Sequence, residues 1–482
     1  MKSYLAALSI LLFGSLAEAA FLPVNQPEYR FLYEAARRQE ILDGKIMLRE
    51  IVAPFNLDTS LNGFARNHFT SSGNDKIEPF IALGNAFNAS RYDHSRNYES
   101  IRGGLYAHPT RHLYYYGNLL LDKKMAEDPS YTGKKWRGMA GEMESSYLAF
   151  GINYLDIIGG RFGGNWGPSD ESLILSSTAR PMDAVAVRLR WGIMQFSYQA
   201  GQLNKIGPAD STGEWQNRYF SGHRLDFQFA SNFSLGLFET VIYGGAGRSF
   251  EMAYLNPFMI YHSVQLNDNI DDNTFLGLDA VYLIAGRHKL YGQFLIDDFQ
   301  IEKKIRSDRE PNELGFLIGA QSLNLFNFID IKGEYLRLNN RTYNQKYDRN
   351  RYDNRGALIG NELGPDADRW SLTLSKWFGY ERRLSLNFAC ERHGEGRYNS
   401  PWTEPWLDST IVYKESFPTG TVEKKFTAGI GFSGFIRNDF YFDGEGGIRI
   451  YRNFGHNPGA SRTVPYFSFN LIFSFSHPVK IQ

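Results

Sequence analysis

The sequence predicts an all-β chain: an antiparallel outer-membrane β-barrel of about eighteen strands, with a short N-terminal periplasmic helical segment. Three observations predict it. From about residue 77 onward apolar and polar residues alternate, as in Leu225-Asp226-Phe227-Gln228-Phe229 and the nine residues from Phe467 to Phe475. Such alternation marks strands with one apolar and one polar face. The chain has 482 residues with 37 Phe, 29 Tyr and 47 Gly, yet its mean hydropathy is −0.39, too polar for a bundle of membrane helices. Finally, the alternating runs reach about ten residues, longer than the roughly five to six usual in soluble sheets.

The elements follow in order. Lys2, an apolar run from Leu5 to Leu16 and the small-x-small trio Ala17-Glu18-Ala19 read as an export signal over residues 1–19. The apolar run is short of the ~20 residues that span a bilayer, which favours cleavage near Ala20. Residues 20–70 are expected to be the periplasmic helical segment. Pro27 suits a first helical turn, Leu32, Ala35, Ala36 and Leu42 form an apolar stripe, and Gly44 follows as a stop. A weaker helical stretch covers 57–69. Residues 71–482 are assigned to the barrel. Roughly 400 residues at about 20–24 per strand and connection give about 16–20 strands, and the even-strand habit of bacterial barrels selects eighteen. The last alternating stretch, 466–476, is expected to close on the first strand and to present the aromatic signal read by the outer-membrane assembly machinery.

Alternation alone leaves open which face is the core. A soluble sandwich turns its apolar face inward, whereas an outer-membrane barrel turns it to lipid. The polar faces here carry full charges, such as Arg188, Arg190, Asp226, Asp297 and Arg449, which suit a wet, charge-paired lumen. Aromatic residues gather toward strand ends at Tyr114-Tyr115-Tyr116, Trp370, Trp377, Tyr441 and Tyr451, where membrane-interface girdles sit.

Composition excludes several functions. Lys+Arg and Asp+Glu are both 52, so there is no basic excess for general nucleic-acid binding. A single cysteine, Cys390, excludes a disulfide framework and a cysteine-rich zinc site. His108 and His112 are four apart, but Pro109 breaks the helix a zinc pair would need. The glycines of 244–247 are not followed by a helix, so no dinucleotide loop is expected. Asp297 and Asp298 are adjacent and point to opposite faces of a strand, so they do not act on one bond. Glu391, His393 and Glu395 belong to no catalytic motif, and lumenal ion pairing is their plainer reading. No enzyme, cofactor or metal is expected.

Long polar segments at 339–369, 394–408 and 207–218 are candidates for the extracellular loops. The first interleaves Arg341, Tyr343, Lys346, Tyr347, Arg349, Arg351, Tyr352 and Arg355. The second holds Trp402 and Trp406. Aromatic faces pack on sugar C–H patches, and arginine binds carboxylate or phosphate bidentately. These loops are therefore expected to form a basic, aromatic surface for anionic polysaccharide or the phosphates of neighbouring lipopolysaccharide. The alternative is that they only balance the acidic outer leaflet.

The stretch Gly160-Arg161-Phe162-Gly163-Gly164-Asn165-Trp166-Gly167-Pro168 leads into Ser172-Leu173-Ile174-Leu175-Ser176-Ser177-Thr178-Ala179-Arg180-Pro181. It resembles the Wzi family of capsule assembly proteins. Gly245-Ala246-Gly247-Arg248, Tyr254-Leu255-Asn256-Pro257 and the run Tyr291 to Asp298 also fit that pattern, although Ser169-Asp170-Glu171 replaces a glycine-rich turn. The resemblance implies a periplasmic helical part joined to an eighteen-stranded barrel, acting as a lectin-like anchor for capsular or extracellular polysaccharide. The alternative function is a porin or substrate-specific channel, which needs an open lumen. Arg161, Trp166, Gly167, Pro168, Arg180, Pro181, Asn256 and Asp297 become motif and lumen candidates. Trp166 suits a plug or a rim cap, with a purely structural constriction as the alternative to a ligand site. Arg161 and Arg180 are expected to pair with Glu142, Glu144 or Asp297. The expected partners are outer-membrane lipid and lipopolysaccharide, the polysaccharide and the assembly machinery; the expected state is a monomer.

In detergent the protein should show a β-dominated circular dichroism spectrum and migrate faster on gels before boiling than after. A mainly helical spectrum, or full solubility without detergent, would contradict the barrel.

Overall fold

Pro27 opens helix α1 (Pro27–Asp43), where a missing N–H leaves no bond unmade, and Gly44 ends it in the left-handed region at φ 63°. The computed structural model describes residues 21–47, 51–55, 76–90, 95–129, 131, 133–207, 213–268, 270–300, 309–408, 410, 413–437, 439–477 and 479–480. The signal segment and the 57–69 stretch lie outside the described residues.

Barrel strands follow α1. The first six are β1 (Lys76–Ser90), β2 (Arg96–Thr110), β3 (Leu113–Asp122), β4 (Met139–Ile152), β5 (Leu155–Phe162) and β6 (Met182–Trp191), with a short helix α2 (Lys123–Glu127) between β3 and β4. Next come β7 (Met194–Gln202), β8 (Gln216–Ala230), β9 (Phe233–Ala246), β10 (Asn273–Ile284), β11 (His288–Asp298) and β12 (Glu313–Leu325); helices α3 (Met252–Leu255) and α4 (Tyr261–Asp268) lie between β9 and β10. The last six are β13 (Ile329–Leu338), β14 (Ala367–Phe378), β15 (Arg382–His393), β16 (Glu423–Arg437), β17 (Phe440–Arg452) and β18 (Ser461–Ser476). These eighteen strands form one closed antiparallel barrel, sealed where β1 meets β18 from Phe80↔Ser476 to Ser90↔Tyr466.

The two ends of the barrel differ. Tight turns such as 192–193, 231–232 and 379–381 join strands at one end, and long connections such as 163–181, 247–272 and 339–366 join them at the other. The outer wall is apolar: Leu83, Leu189, Leu237, Leu278, Ile318, Leu386 and Ile430 are exposed along it. Trp191, Phe229, Phe326, Phe328 and Phe378 ring the turn end, as interface aromatics do.

Several aromatic residues expected in the girdles face inward instead. Tyr114, Tyr116 and Tyr441 are buried, and Trp377 lies 5.2 Å from Phe31 of α1. The reason is α1 itself. It lies across the turn-side end of the lumen, with Gln39 at Tyr380 and Arg38 on Asp330 at 2.6 Å. Phe31 packs on Phe435 and Tyr441 at 6.0 and 6.1 Å, and Tyr29 meets Tyr116 edge-on at 6.4 Å. Arg102 of β2 reaches Glu28 at 2.8 Å and Glu144 at 3.0 Å.

The loop-side half is filled by two connections that fold inward, 163–181 and 339–366. Trp166, Leu173, Ile174, Leu175, Tyr343, Tyr352 and Ile359 pack on wall residues Phe220, Ile242, Phe275, Leu295 and Leu317. The wet, charged lumen expected from alternation is therefore half replaced by an apolar core, because the inner faces of β8–β13 pack against these segments. Several of the charges that remain are paired. Arg224 forks onto Asp226 and Asp279 at 2.6 Å each, and Arg190 holds Asp156 at 2.6 Å.

Truncating Phe31 to Ala should lower stability by about 3–5 kcal/mol, the cost of deleting a buried aromatic. It should be read as a lower unfolding temperature in detergent with the heat-modifiable gel band retained. An unchanged unfolding temperature would show that α1 is not packed in the lumen.

Candidate functional site

The end of β5 and the glycine-rich turn after it steer the chain into the barrel. Within β5 Gly160 sits at φ 131°, where a Cβ would lie 2.2 Å from the Ser146 carbonyl oxygen. Gly167 sits at φ 127°, where a Cβ would lie 2.6 Å from Gln293 Nε2. Between them Asn165–Trp166 pairs antiparallel with Val52–Ala53. The buried Trp166 donates its N–H to the Leu175 carbonyl at 2.9 Å and accepts at its own carbonyl from Gln293. Lys289 donates to the Pro168 carbonyl at 3.1 Å. Trp166, Gly167 and Pro168 thus build a plug.

The plug is tied to α1 by Arg37, which donates to Asp170 at 2.6 Å. Burial pushes the Asp170 carboxyl up, but Arg37 foremost, then Lys332, Arg30 and Lys289, outweigh it and hold it below the usual aspartate value.

The arginine pairings differ from those expected. Arg161 donates to Asp183 at 2.8 and 2.6 Å, because β5 and β6 are neighbours in register. Arg180 pairs with Asp128. Glu142 is held by Arg355, and Glu144 by Arg102, Gln26 and Asn118. Asp297 accepts the Tyr343 N–H at 2.6 Å. Asn256 is remote from all of these: it ends α3 and accepts from the Phe258 N–H at 3.1 Å.

At the loop-side mouth these pairings enclose a cavity of about 500 Å³ between α2 and residues 178–181. Tyr98, Glu127, Asp128, Glu142 and Arg180 line it, and Asn25 and Glu144 reach into it. Tyr98 donates to Glu127 at 3.2 Å, and Arg96 donates to the same carboxylate at 2.9 Å. Asp122 caps α2 through the Met125 N–H at 3.0 Å, fixing the cavity's rim. Pro181 lines the cavity, and its carbonyl lies 3.4 Å from Asn354 Nδ2. Tyr98 and Glu127 were missed from sequence; the one local sign was Asp122 capping a short helix.

A second polar space of about 340 Å³ runs inside β13–β18. Six of its charges form pairs: Lys332 with Glu334 at 3.0 Å, Lys425 with Glu391 at 2.8 Å, and Arg369 with Glu171. His393 sits 3.6 Å from Glu391, while Glu395 accepts the Thr421 N–H. Glu391 and Glu395 therefore serve separate contacts. His108 packs on the Tyr114 ring at 4.9 Å, and His112 turns to the Gly151 carbonyl.

The basic aromatic surface expected over 341–355 is not formed as such. Tyr343 and Tyr352 are buried and donate to the carbonyls of Leu173 and Ile174. Arg341 is held by Glu415 at 2.7 Å and lies 4.6 Å over the buried Trp406, which meets Trp402 at 6.1 Å. Arg351 pairs with Asp348 at 2.6 Å, and Arg355 with Glu142. Tyr347 remains exposed, with Arg349 4.2 Å over its ring. Filling an eighteen-stranded lumen drew these tyrosines inward.

The family description "Capsule assembly protein Wzi" matches residues 87–464, a span that holds the plug, the mouth cavity and the inward loops. The chain belongs to the Wzi family of capsule assembly proteins. Among solved structures it is similar to Wzi of Escherichia coli, an outer membrane protein involved in group 1 capsule assembly and described as a carbohydrate binding β-barrel. That match has 13% identity and a TM-score of 0.60, and covers 96% of this chain and 100% of that one. OccK3 (OpdO) of Pseudomonas aeruginosa matches at 12% identity and a TM-score of 0.48, covering 83% of this chain and 96% of that one. No curated protein matches. The likeness to the Escherichia coli Wzi carries the barrel fold, and the family places the chain in the outer membrane.

In this Wzi-family chain the Arg37–Asp170 contact should be acid-sensitive. The Asp170 value is lowered on folding, so the contact's stabilisation is complete above the ordinary value of 3.8 and is lost as pH falls through the lowered value. Near-ultraviolet circular dichroism of the buried Trp166 should change in that range in the wild type. The part of the change due to this contact should disappear in Asp170→Asn.

Proposed function

We propose that the protein is a non-enzymatic anchor that binds capsular polysaccharide at the cell surface through the loop-side mouth cavity. The cavity itself carries this reading: it is a pocket of saccharide size, built on the family motif and lying over a filled lumen. Tyr98 offers an aromatic edge. Arg180, Glu127 and Asp128 offer planar groups already fixed by their own ion pairs, which is the preorganisation that hydroxyl recognition rewards. The lining carries more carboxylates than cations, so the ligand it suits is a hydroxyl-rich sugar chain rather than a bare polyanion. The family's role in capsule assembly and the carbohydrate binding of the Escherichia coli Wzi support the same reading.

The rest of the arrangement follows from export. The signal over residues 1–19 is removed, α1 enters from the periplasmic end, and the long connections meet lipopolysaccharide and capsule outside. The chain works as a monomer once the assembly machinery has inserted it. The filled lumen sets this reading apart from a porin, and the protein should show no steady large conductance in planar bilayers.

Tyr98→Ala and Arg180→Ala should each weaken polysaccharide binding by about 1–2 kcal/mol, roughly tenfold in Kd. Calorimetry on the purified barrel and capsule retention by cells would both report it. Normal insertion with unchanged binding in both variants would remove the cavity as the site.

A further inference from the structure

The outward face of β9 reads Phe233, Leu235, Leu237, Glu239, Val241, Tyr243, a lipid-facing row interrupted midway by a carboxylate. Across the ladder Glu239 meets His223 of β8, whose Nε2 lies 3.3 Å from it. A carboxylate on the lipid face of a barrel is costly, yet Glu239 is buried.

The connection 247–272 covers it. This segment does not enter the lumen; it folds back down the outer wall. The N–H groups of Tyr261 and His262, at the start of α4, donate to Glu239 at 2.9 and 2.8 Å. Tyr198 of β7 donates to the Leu255 carbonyl at 3.1 Å, and Phe258 stacks on Phe196 at 5.4 Å. Tyr254, Tyr261 and Val264 pack on Tyr219, Val241 and Tyr243 in a cluster separate from the core inside the barrel. At its base Arg248 clamps Glu251 at 2.7 Å and Asp272 at 2.6 Å. Away from that cluster the segment exposes large apolar side chains, Met252 at 80%, Phe258 at 79%, Leu266 at 69% and Ile260 at 60%, with the polar Asn256, His262, Asn267 and Asp268 exposed among them.

We propose that 247–272 is a flap embedded in the outer leaflet, its apolar side seated among lipid acyl chains. The flap continues a surface that must already face lipid. Phe258 stacks on Phe196, whose register partner Leu189 is itself exposed on the wall. Its inner side covers the polar pair and gives Glu239 two backbone donors, and its exposed apolar side chains continue the apolar band.

The test is depth-dependent quenching. In a Cys390→Ser background, Phe258→Cys and Leu266→Cys are each labelled with an environment-sensitive fluorophore and inserted into phosphatidylcholine–phosphatidylglycerol vesicles. The heat-modifiable band serves as the check on folding. Lys346→Cys, a charged side chain exposed on the loop-side connection 339–366, is the aqueous control. The flap labels should lose most of their fluorescence when the acyl chains are brominated and keep it in aqueous iodide, with the control label behaving the opposite way. Quenching of both flap labels by iodide alone would overturn the proposal. Protection from both quenchers, with cross-linking between labelled chains, would assign the face to a second copy and overturn it equally.

Discussion

Phe80 pairs with Ser476, Ser90 with Tyr466, and the residues between them continue an antiparallel ladder that joins the first barrel strand to the last. In hydrocarbon an unpaired strand edge leaves backbone donors and acceptors with no partner, so the sheet must close. Closure at eighteen strands has a second consequence. Barrels of 16–18 strands enclose more space than wall side chains fill. The chain must supply that filling from its own connections or be a pore.

Here the filling comes from both ends and locks together in the middle. Arg37 of α1 meets Asp170 of the plug, Val52 pairs with Trp166, and the Tyr343 and Tyr352 hydroxyls reach the plug's backbone. Each inserted segment therefore offers the others the hydrogen-bond partners that a buried irregular backbone requires. The cost is borne by the loops. Tyrosines that would suit a sugar-binding surface are spent on the core, and arginines beside them close on nearby carboxylates. The space left over includes the mouth cavity beside α2 and the polar space inside β13–β18.

The same rule governs the outer wall. Glu239 breaks an apolar row, and a connection folds outward to satisfy it, just as two others fold inward to satisfy the lumen. Length alone does not tell these connections apart: 247–272 and 339–366 are similar. What differs is the wall residue each must cover, a carboxylate outside and an apolar concavity inside.

The sequence by itself determined the elements that rest on local chemistry. Period two in 225–229 and 467–475 marked β8 and β18, because a pleated strand between lipid and interior sorts side chains by alternation. Pro27 and Gly44 bracketed α1, because ring closure and left-handed backbone are local demands. The 160–181 motif marked the inward turn through its glycines. What the sequence left open was decided at a distance. Tyr114 and Tyr116 read as girdle residues until α1 lay against the inner wall. Both faces of β9 are apolar, Leu237 and Val241 outside with Phe238 and Ile242 inside, so alternation there could not name the core. Arg161 found Asp183 through strand register, and Glu239 found the start of α4 through a folded-back loop. Ion pairs and plugs depend on which strands become neighbours and how much space closure leaves to fill, and only the completed barrel fixes both.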